Sequence, residues 1–379
     1  MTILACQQDA YRREFTARVS EVIHREDSFD VVLEDTILYP EGGGQPDDHG
    51  TLDGQPVLGL QRRPSGHVVH RVAQPLATDS VSVKVDWSRR FDHMQQHTAQ
   101  HLITALAADH FGCPTLDFHL LPDVCDIALE GTLSDEQLVA LSEMANQAIR
   151  DALPVETQLV SVEDLDDVRS RRLPEGLSGP VRLVSIGSLD LNTCGGTHVS
   201  STAQLQCIHL LPPVSHPKGM RLRYLAGNRV LRTLSASWQR QQELSAVLSC
   251  GPKDHRGAVE RIQRDAKSVS RTKRQLQQEL ASHIGAQLVR DQCHNLHRDG
   301  ADLGFLKAIA TAVQAVDPAH LILLTGEGVF LLAGEVEPVA AVGPQIATLL
   351  SGRGGGSRGR FQGRMTSMSR IDECISLLQ

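Results

Sequence analysis

Two short motifs set the strongest constraint on how this 379-residue chain folds. One is FDHMQQHTAQHL, residues 91–102, and the other is LNTCGGTHVS, residues 191–200. His97 and His101 stand at i and i+4, so on a helix both rings leave one face about a turn apart. Cys194 and His198 flank two glycines, which make a poor helix and a permissive turn. Each half alone is commonplace, since histidine pairs occur on many surfaces and a lone cysteine is often simply buried. Together they supply three imidazoles and one thiol, a donor set that suits tetrahedral Zn2+. The 93 positions from His101 to Cys194 are far too many for a zinc finger. A shared ion therefore requires two distant elements of one folded domain to meet. Thr98, Ala99 and Gln100 fill the interval between the histidines, so the glutamate base of an HExxH protease is missing. His93, a further turn back, would lie about 12 Å from His101 along the axis. It is expected behind the ligands or facing a substrate.

The remaining pattern predicts an α+β chain. FTARVSEVI, FDVVLEDTILY and VSVKVDW read as strands, with HGTLDG as a turn. The loop YPEGGGQPDDHG, residues 39–50, is the most heavily punctuated stretch of this region. Its three consecutive glycines permit a close approach of backbone to a neighbour. A helix is predicted from Ser88 to His110, burying Met94, Thr98, Leu102, Ala105 and Leu106, and another over Ser134–Asp151 with Ser134 as N-cap. Strands are expected at 155–162 and 181–187, then in QLQCIHLL and RLRYLAG. From Asn228 to Arg290 the texture turns to long helix, broken at Gly251–His255 and carrying an apolar stripe through Ile262, Val269, Leu276 and Leu288. Residues 301–379 alternate helix and strand, with SGRGGGSRGRFQGRM as a glycine-arginine loop and a short helix near Ser369–Leu378. The expected division is 1–86, 87–228, 229–298 and 299–379, since one core of this length is improbable.

Charge is unevenly spread. Residues 1–217 hold 15 Lys+Arg against 31 Asp+Glu, whereas residues 218–300 hold 16 against 7. A basic segment inside an acidic chain points to a polyanion contact confined to one region, or to a solvated helical face. Eight scattered cysteines without a CxxC pair fit reduced thiols and a cytoplasmic setting. No secretory leader and no membrane-length apolar run is found. Aromatic residues make up only 3% of the chain, so a base-stacking platform is not evident.

HTAQHL, CGGTH and the loop TILYPEGGGQPDDHG occur in the same order in the editing domain of alanyl-tRNA synthetase and in its free-standing relatives, the AlaX proteins. VRLVSIGSLDLNTCGGTHVSS resembles the second block almost throughout. The resemblance is strong over about residues 10–230, and GRGGGSRGRFQGR is similar to the glycine-rich signature of a DHHA1-type tail. The long AlaX form is the nearest resemblance. It implies a small N-terminal β-barrel, an α/β editing domain, a helical arm and a small α/β tail. The barrel begins at once, so the chain is expected to edit and not to charge tRNA. The implied activity is hydrolysis of Ser-tRNA(Ala), with Gly-tRNA(Ala) as a second substrate, at one Zn2+ held by His97, His101, Cys194 and His198. An alanine pocket rejects an isostere bearing one extra hydroxyl only weakly, which is the physical reason for a second, hydrolytic site.

The resemblance suggests a role for Thr36, and the chemistry of the residues themselves suggests the others. Thr36 is the candidate for the serine hydroxyl, with β-propensity at a strand end as the plain alternative. The amides of Gly42, Gly43 and Gly44 are candidates for orienting a water and stabilising an oxyanion. Gln45 would orient a water or the substrate amine, or merely satisfy a turn. Asp190 would hold a histidine N–H, or mark an exposed strand end. Arg182 would meet a phosphate or the 3′ adenosine, or form a surface ion pair. Arg353, Arg358, Arg360 and Arg364 with the basic arm would contact the acceptor stem of tRNA(Ala), mainly by shape and charge. Four ligands fill the zinc tetrahedron, so either Cys194 is replaceable by water or the metal orders the pocket. A homodimer through the arm and tail is a further expectation. The competing readings are a tRNA-binding protein with a purely structural zinc and a hydrolase for another charged tRNA, against which the GGGQP loop argues.

Overall fold

The computed structural model describes residues 4–161 and 181–378. It divides into two compact units, Met1–Gln241 and Gln242–Gln379. The division falls inside one helix.

The first unit begins with a short helix, α1 (Ala5–Gln8), followed by β1 (Glu14–His24), β2 (Phe29–Leu33), β3 (Gly50–Leu52), β4 (Gln55–Arg62), β5 (Val68–Val72) and β6 (Ser80–Val85). These six strands close into a barrel in the order β1-β2-β5-β4-β3-β6. Val31, Leu33, Leu52, Val72, Val81 and Val83 fill its interior. The expected strand FDVVLEDTILY stops at Leu33. Asp35 Oδ1 accepts from the amides of Ala5 and Thr36, and Thr36 Oγ1 accepts from the Leu38 amide. Such local bonds draw the chain away from a strand ladder, so residues 34–49 leave the barrel as a loop.

Helix α2 (Trp87–Phe111) follows at once. Asp86 caps it by accepting from Arg89 N, and Gly112 ends it at φ 64° in the left-handed region. The expected stripe of Met94, Thr98, Leu102, Ala105 and Leu106 is buried, but so are Gln95, Gln96, His97, Gln100 and His101. A helix buried on its polar side needs partners there. Gln96 has them in both the N–H and the C=O of Ala226, and Gln95 in Gln204 O and Asn228 N. Around α2 lie β7 (Thr115–His119), β8 (Cys125–Glu130), α3 (Asp135–Arg150), β9 (Val155–Val160), β10 (Val181–Ile186), β11 (Asp190–Thr193), β12 (Ile208–His216) and β13 (Gly219–Ala226). They form an antiparallel sheet β11-β10-β9 and a second sheet β12-β13-β8-β7. Residue 162, the expected end of the strand at β9, lies outside the described residues. Helix α3 has the expected Ser134 cap, completed by Gln137 as a capping box.

A buried ion pair joins the loop after β2 to the start of α2. Arg90 and Asp48 are both fully buried, with Arg90 Nε 2.9 Å from Asp48 Oδ2 and Arg90 Nη1 donating to Ala10 O at 3.0 Å. Asp48 Oδ2 also accepts from Tyr39 N at 2.7 Å.

Helix α4 (Asn228–Leu248) crosses the division between the units. The second unit contains α5 (His255–Arg290), β14 (Asn295–His297), α6 (Leu303–Val316), β15 (Ile322–Thr325), β16 (Val329–Ala333), α7 (Val336–Leu349), β17 (Arg353–Ser357), β18 (Arg360–Arg364) and α8 (Ile371–Ser376). Its sheet runs β14-β15-β16-β18-β17. The glycine-arginine segment is thus not a loop but a hairpin at the sheet edge, turning through Arg358 and Gly359, both at positive φ. Gly356 lies so close to Arg360 that a side chain there would strike backbone. On α5, Ala258 near the start and Ala281 and Leu288 near the end are buried, whereas Ile262, Val269 and Leu276 between them are exposed. Among the described residues no helix is long and apolar enough to cross a membrane.

Removing Asp48 would strand the Arg90 charge in the interior, which costs about 3–5 kcal/mol. Asp48→Ala is expected to lower stability by that amount in urea unfolding. A Trp238→Phe background leaves Trp87, at the start of α2, as the sole indole reporter.

Candidate metal centre

Helix α2 presents His97 and His101, and the turn after β11 presents Cys194 and His198. The four donor atoms lie within 4.8 Å of one another. Cys194 Sγ is 3.4 Å from His97 Nε2 and 3.3 Å from His198 Nε2. The other nitrogen of each ring is held by an oxygen. His97 Nδ1 meets Gln45 Oε1 at 2.9 Å, His101 Nδ1 meets Asp190 Oδ2 at 2.9 Å, and His198 Nδ1 meets Thr98 Oγ1 at 3.1 Å. Holding Nδ1 in this way directs Nε2 toward the common centre. Burial alone would raise the Cys194 thiol, yet the neighbouring His97 and His198 bring it well below its usual range. Burial also works against charge on His101, but Asp190 and Cys194 outweigh it and raise that ring to about 9. His198 is held down to about 3, chiefly by burial. A thiolate beside buried imidazoles aimed at one point is the donor chemistry of a metal site.

The glycines of the turn are required by contact. A side chain at Gly196 would come within 2.2 Å of the His97 ring. Gly195 O accepts from Gln7 Nε2 at 2.7 Å, which ties α1 to the turn. Arg182, expected to meet a phosphate or the 3′ adenosine or to form a surface ion pair, has its guanidinium on the turn, donating to Cys194 O at 2.8 Å, Gly196 O at 2.9 Å and Gln7 O at 3.1 Å.

The glycine loop arrives from the barrel side. Gln45 is wholly buried, and its amide is bonded within the protein. Oε1 accepts from Thr197 N at 2.9 Å as well as meeting His97, and Nε2 donates to Thr197 Oγ1 at 2.9 Å. The Gly42 amide donates to Gln45 O at 3.1 Å, so it does not join the expected oxyanion donors. Gly43 and Gly44 have positive φ, at 58° and 81°. Gly44 packs so tightly on Phe118 that a side chain would meet the ring at 2.6 Å. A cavity of about 120 Å3 opens beside the cluster, with Gly43, Gln100, Thr104 and Phe118 on its walls together with His97, His101 and Cys194.

Several expected residues sit elsewhere. Thr36 is outside the cavity lining, with its hydroxyl 2.9 Å from His70 Nε2 inside the barrel. His93 is buried but outside both the four-residue cluster and the cavity lining. Arg353, Arg358 and Arg364 are exposed on the hairpin of the second unit, whereas Arg360 is tied to Thr311 and Gln314 of α6. The sequence reading missed Arg90 and Asp48 altogether and did not see that Thr98 orients His198. Gln100 entered it only as a residue that is not glutamate. The adjacent Gln95-Gln96 and the isolated Arg90 offered a signal only as polar residues inside an apolar helical period.

Two predictions follow from these contacts. Asp190→Ala frees the His101 ring and is expected to weaken metal affinity ~10–100-fold, read by competition with a chelator. Burial holds His70 down to about 4 from its ordinary 6.5. The unfolded chain therefore binds the extra proton between those values, and stability rises with pH across that window. The contribution is complete above about 6.5 and is lost as pH falls toward 4, by at most roughly 3 kcal/mol. The slope of unfolding free energy against pH should be shallower in His70→Gln, and equal slopes would refute the assignment.

Comparison with known proteins places this geometry. Residues 181–230 match the family model described as the threonyl and alanyl tRNA synthetase second additional domain. The chain is 41% identical to the alanyl-tRNA editing protein Aarsd1 of Rattus norvegicus, over 99% of this chain and 97% of that protein. It is 26% identical to the alanyl-tRNA editing protein AlaX-L of Pyrococcus horikoshii, over 94% of this chain and 93% of that protein. Similarity also extends to the alanine–tRNA ligase of Pyrococcus abyssi, at 27% identity over 97% of this chain but only 42% of the ligase.

Proposed function

Because the chain belongs to the long-form alanyl-tRNA editing proteins, we propose that it acts in trans to deacylate tRNA(Ala) bearing the wrong amino acid. Serine is the principal substrate in this reading and glycine the second. The observation that carries it is a small cavity walled jointly by three residues of the four-donor cluster, His97, His101 and Cys194, and by Gly43 of the glycine loop.

Zinc is the ion this reading assigns to His97, His101, Cys194 and His198. Three imidazole nitrogens and one thiolate, with Cys194 Sγ 3.4 Å from His97 Nε2 and 3.3 Å from His198 Nε2, are the donor types that zinc favours and support that assignment. When bound, zinc supplies a fixed positive charge that can hold or polarise a substrate group. The protein does the rest. Gln45, Asp190 and Thr98 hold the rings, and Arg182 holds the turn. The Gly43 and Gly44 amides are the backbone donors assigned to the developing oxyanion, the Gly42 amide being bonded internally. Phe118 walls the cavity and limits access of bulk water. Aminoacyl esters are labile, so positioning a water against the carbonyl accounts for much of the needed acceleration.

The tRNA body would be held through phosphates. The exposed Arg353, Arg358 and Arg364 and the basic segment around α5 support that assignment. Arg353 and Arg364 stand opposite each other in the hairpin register, and like charges so placed favour an anion between them. The protein would work in the cytoplasm beside its substrate. The exposed Ile262, Val269 and Leu276 of α5 support a homodimer.

The test is release of serine from Ser-tRNA(Ala), with Gly-tRNA(Ala) and Ala-tRNA(Ala) alongside, for wild type, His97→Ala and Cys194→Ala of measured metal content. Wild type should release serine and spare alanine, and His97→Ala should lose both metal and at least ~100-fold in rate. A metal-replete wild type that binds tRNA(Ala) without releasing serine would refute hydrolysis and leave a binding module.

A further inference from the structure

Arg229, Arg232, Thr233, Ala236 and Arg240 recur at three- and four-residue steps, so they share one face of α4. Across from them stands the turn after β7, with Pro122 and Asp123, and the two walls enclose a cleft of about 330 Å3. All of these residues belong to the first unit.

Arg229 builds the cleft. Its side chain is 5% exposed, and it donates from Nη2 to Asp92 Oδ2 at 2.7 Å and from Nη1 to Leu121 O at 2.6 Å. One buried guanidinium thus pins α4 both to α2 and to the turn after β7, and Asp92 balances its charge. Arg232 and Arg240 differ. The Arg232 side chain is 70% exposed and reaches Asp92 only at 3.3 Å. Arg240 is exposed and donates to Ser237 Oγ at 2.9 Å. With Arg229 matched by Asp92, the cleft sets the guanidiniums of Arg232 and Arg240 against the single carboxylate of Asp123. Its uncompensated charge is therefore one positive.

That charge is the complement of one phosphodiester, and a guanidinium can meet two phosphate oxygens at once. Thr233 adds a hydroxyl to the same wall. The position indicates which phosphate. Asp92 stands five positions before His97 on α2, about 7.5 Å along the helix axis. Strand β7, which leads into the turn, carries Phe118 on the wall of the cavity beside the metal cluster. Cleft and reaction site are built on the same two elements, so an anion in the cleft lies close to the bond being cut.

We propose that this cleft binds a backbone phosphate of the single-stranded 3′ end of the charged tRNA, with Arg232 and Arg240 as its donors. The proposal rests on the editing reading for the identity of the polyanion. It gives the first unit its own anchor beside the ester, separate from the contacts assigned to the hairpin and to α5.

The probe is an uncharged RNA minihelix with the acceptor stem and 3′ overhang of tRNA(Ala), with copies in which one overhang phosphate at a time is a neutral methylphosphonate. Affinity for the full, metal-loaded chain would be read by fluorescence anisotropy. Arg232→Gln and Arg240→Gln should each weaken binding about three- to tenfold and flatten the salt dependence of log K by up to ~0.7. Arg223→Gln, an equal loss of charge at a residue outside the cleft that donates to Pro212 O, should change affinity by less than about twofold. One methylphosphonate should weaken wild type to a similar degree and leave Arg232→Gln unaffected, because the two changes remove the same contact. Unchanged affinity in both cleft variants at a wild-type thermal midpoint, or losses that add at every linkage, would overturn the proposal. So would inorganic phosphate that binds wild type and not Arg232→Gln while the minihelix binds both alike, the mark of a free-anion site. Turnover of Ser-tRNA(Ala) is measured in parallel. Its absence with the linkage effect intact would remove the editing reading and keep the phosphate site.

Discussion

The buried pair of Arg90 and Asp48 is the contact on which the arrangement of the site depends. Asp48 closes the glycine loop through Tyr39, and Arg90 stands at the first turn of the helix bearing His97 and His101. A charge pair at zero exposure has a large desolvation cost and contributes little net stability against an apolar replacement. What it does supply is registry. The loop can lie only where both carboxylate oxygens face the guanidinium, and this places Gln45 against the His97 ring. The barrel thereby becomes part of the candidate metal centre without contributing a donor to the cluster.

Around that contact the protein has a polar interior. Gln95, Gln96, Gln45, Thr98, Thr197 and Asp190 are all buried. Most of them meet backbone or an imidazole rather than one another. A polar interior of this kind is unforgiving, because each amide left unpaired is penalised in low dielectric. It also fixes ring orientation more tightly than apolar packing does, since a hydrogen bond has direction. The few exceptions are informative. The unpaired Asp190 oxygen lies behind the centre, and the unpaired Gln100 oxygen belongs to a residue on the cavity wall.

Much of the site was legible because its chemistry resides in side chains at fixed local spacing. The i, i+4 histidines and the CxxxH turn fix which atoms can converge, and the structure brings them together. The helices at 87–111 and 135–150 were legible from period and capping. What could not be read depends on partners distant in sequence. Arg182 has the same composition whether it faces a phosphate or three carbonyls. Thr36 looks like a strand residue because nothing local announces that Asp35 bends the chain. The hairpin at 353–364 reads as a loop because five glycines in twelve residues mask strand propensity. Only the neighbouring β16 makes that backbone extended.

The bond from Gln45 to Thr197 spans 152 positions, and this separation governs the order of events during synthesis. Contacts so remote close late, because the intervening chain must first be ordered. When helix α2 leaves the ribosome, His97 and His101 are a half-site with neither thiol nor orienting amide. At ~5–20 residues per second, Cys194 emerges several seconds later. Until then the two halves of the candidate metal site are apart, and they meet only when the turn closes onto the barrel loop.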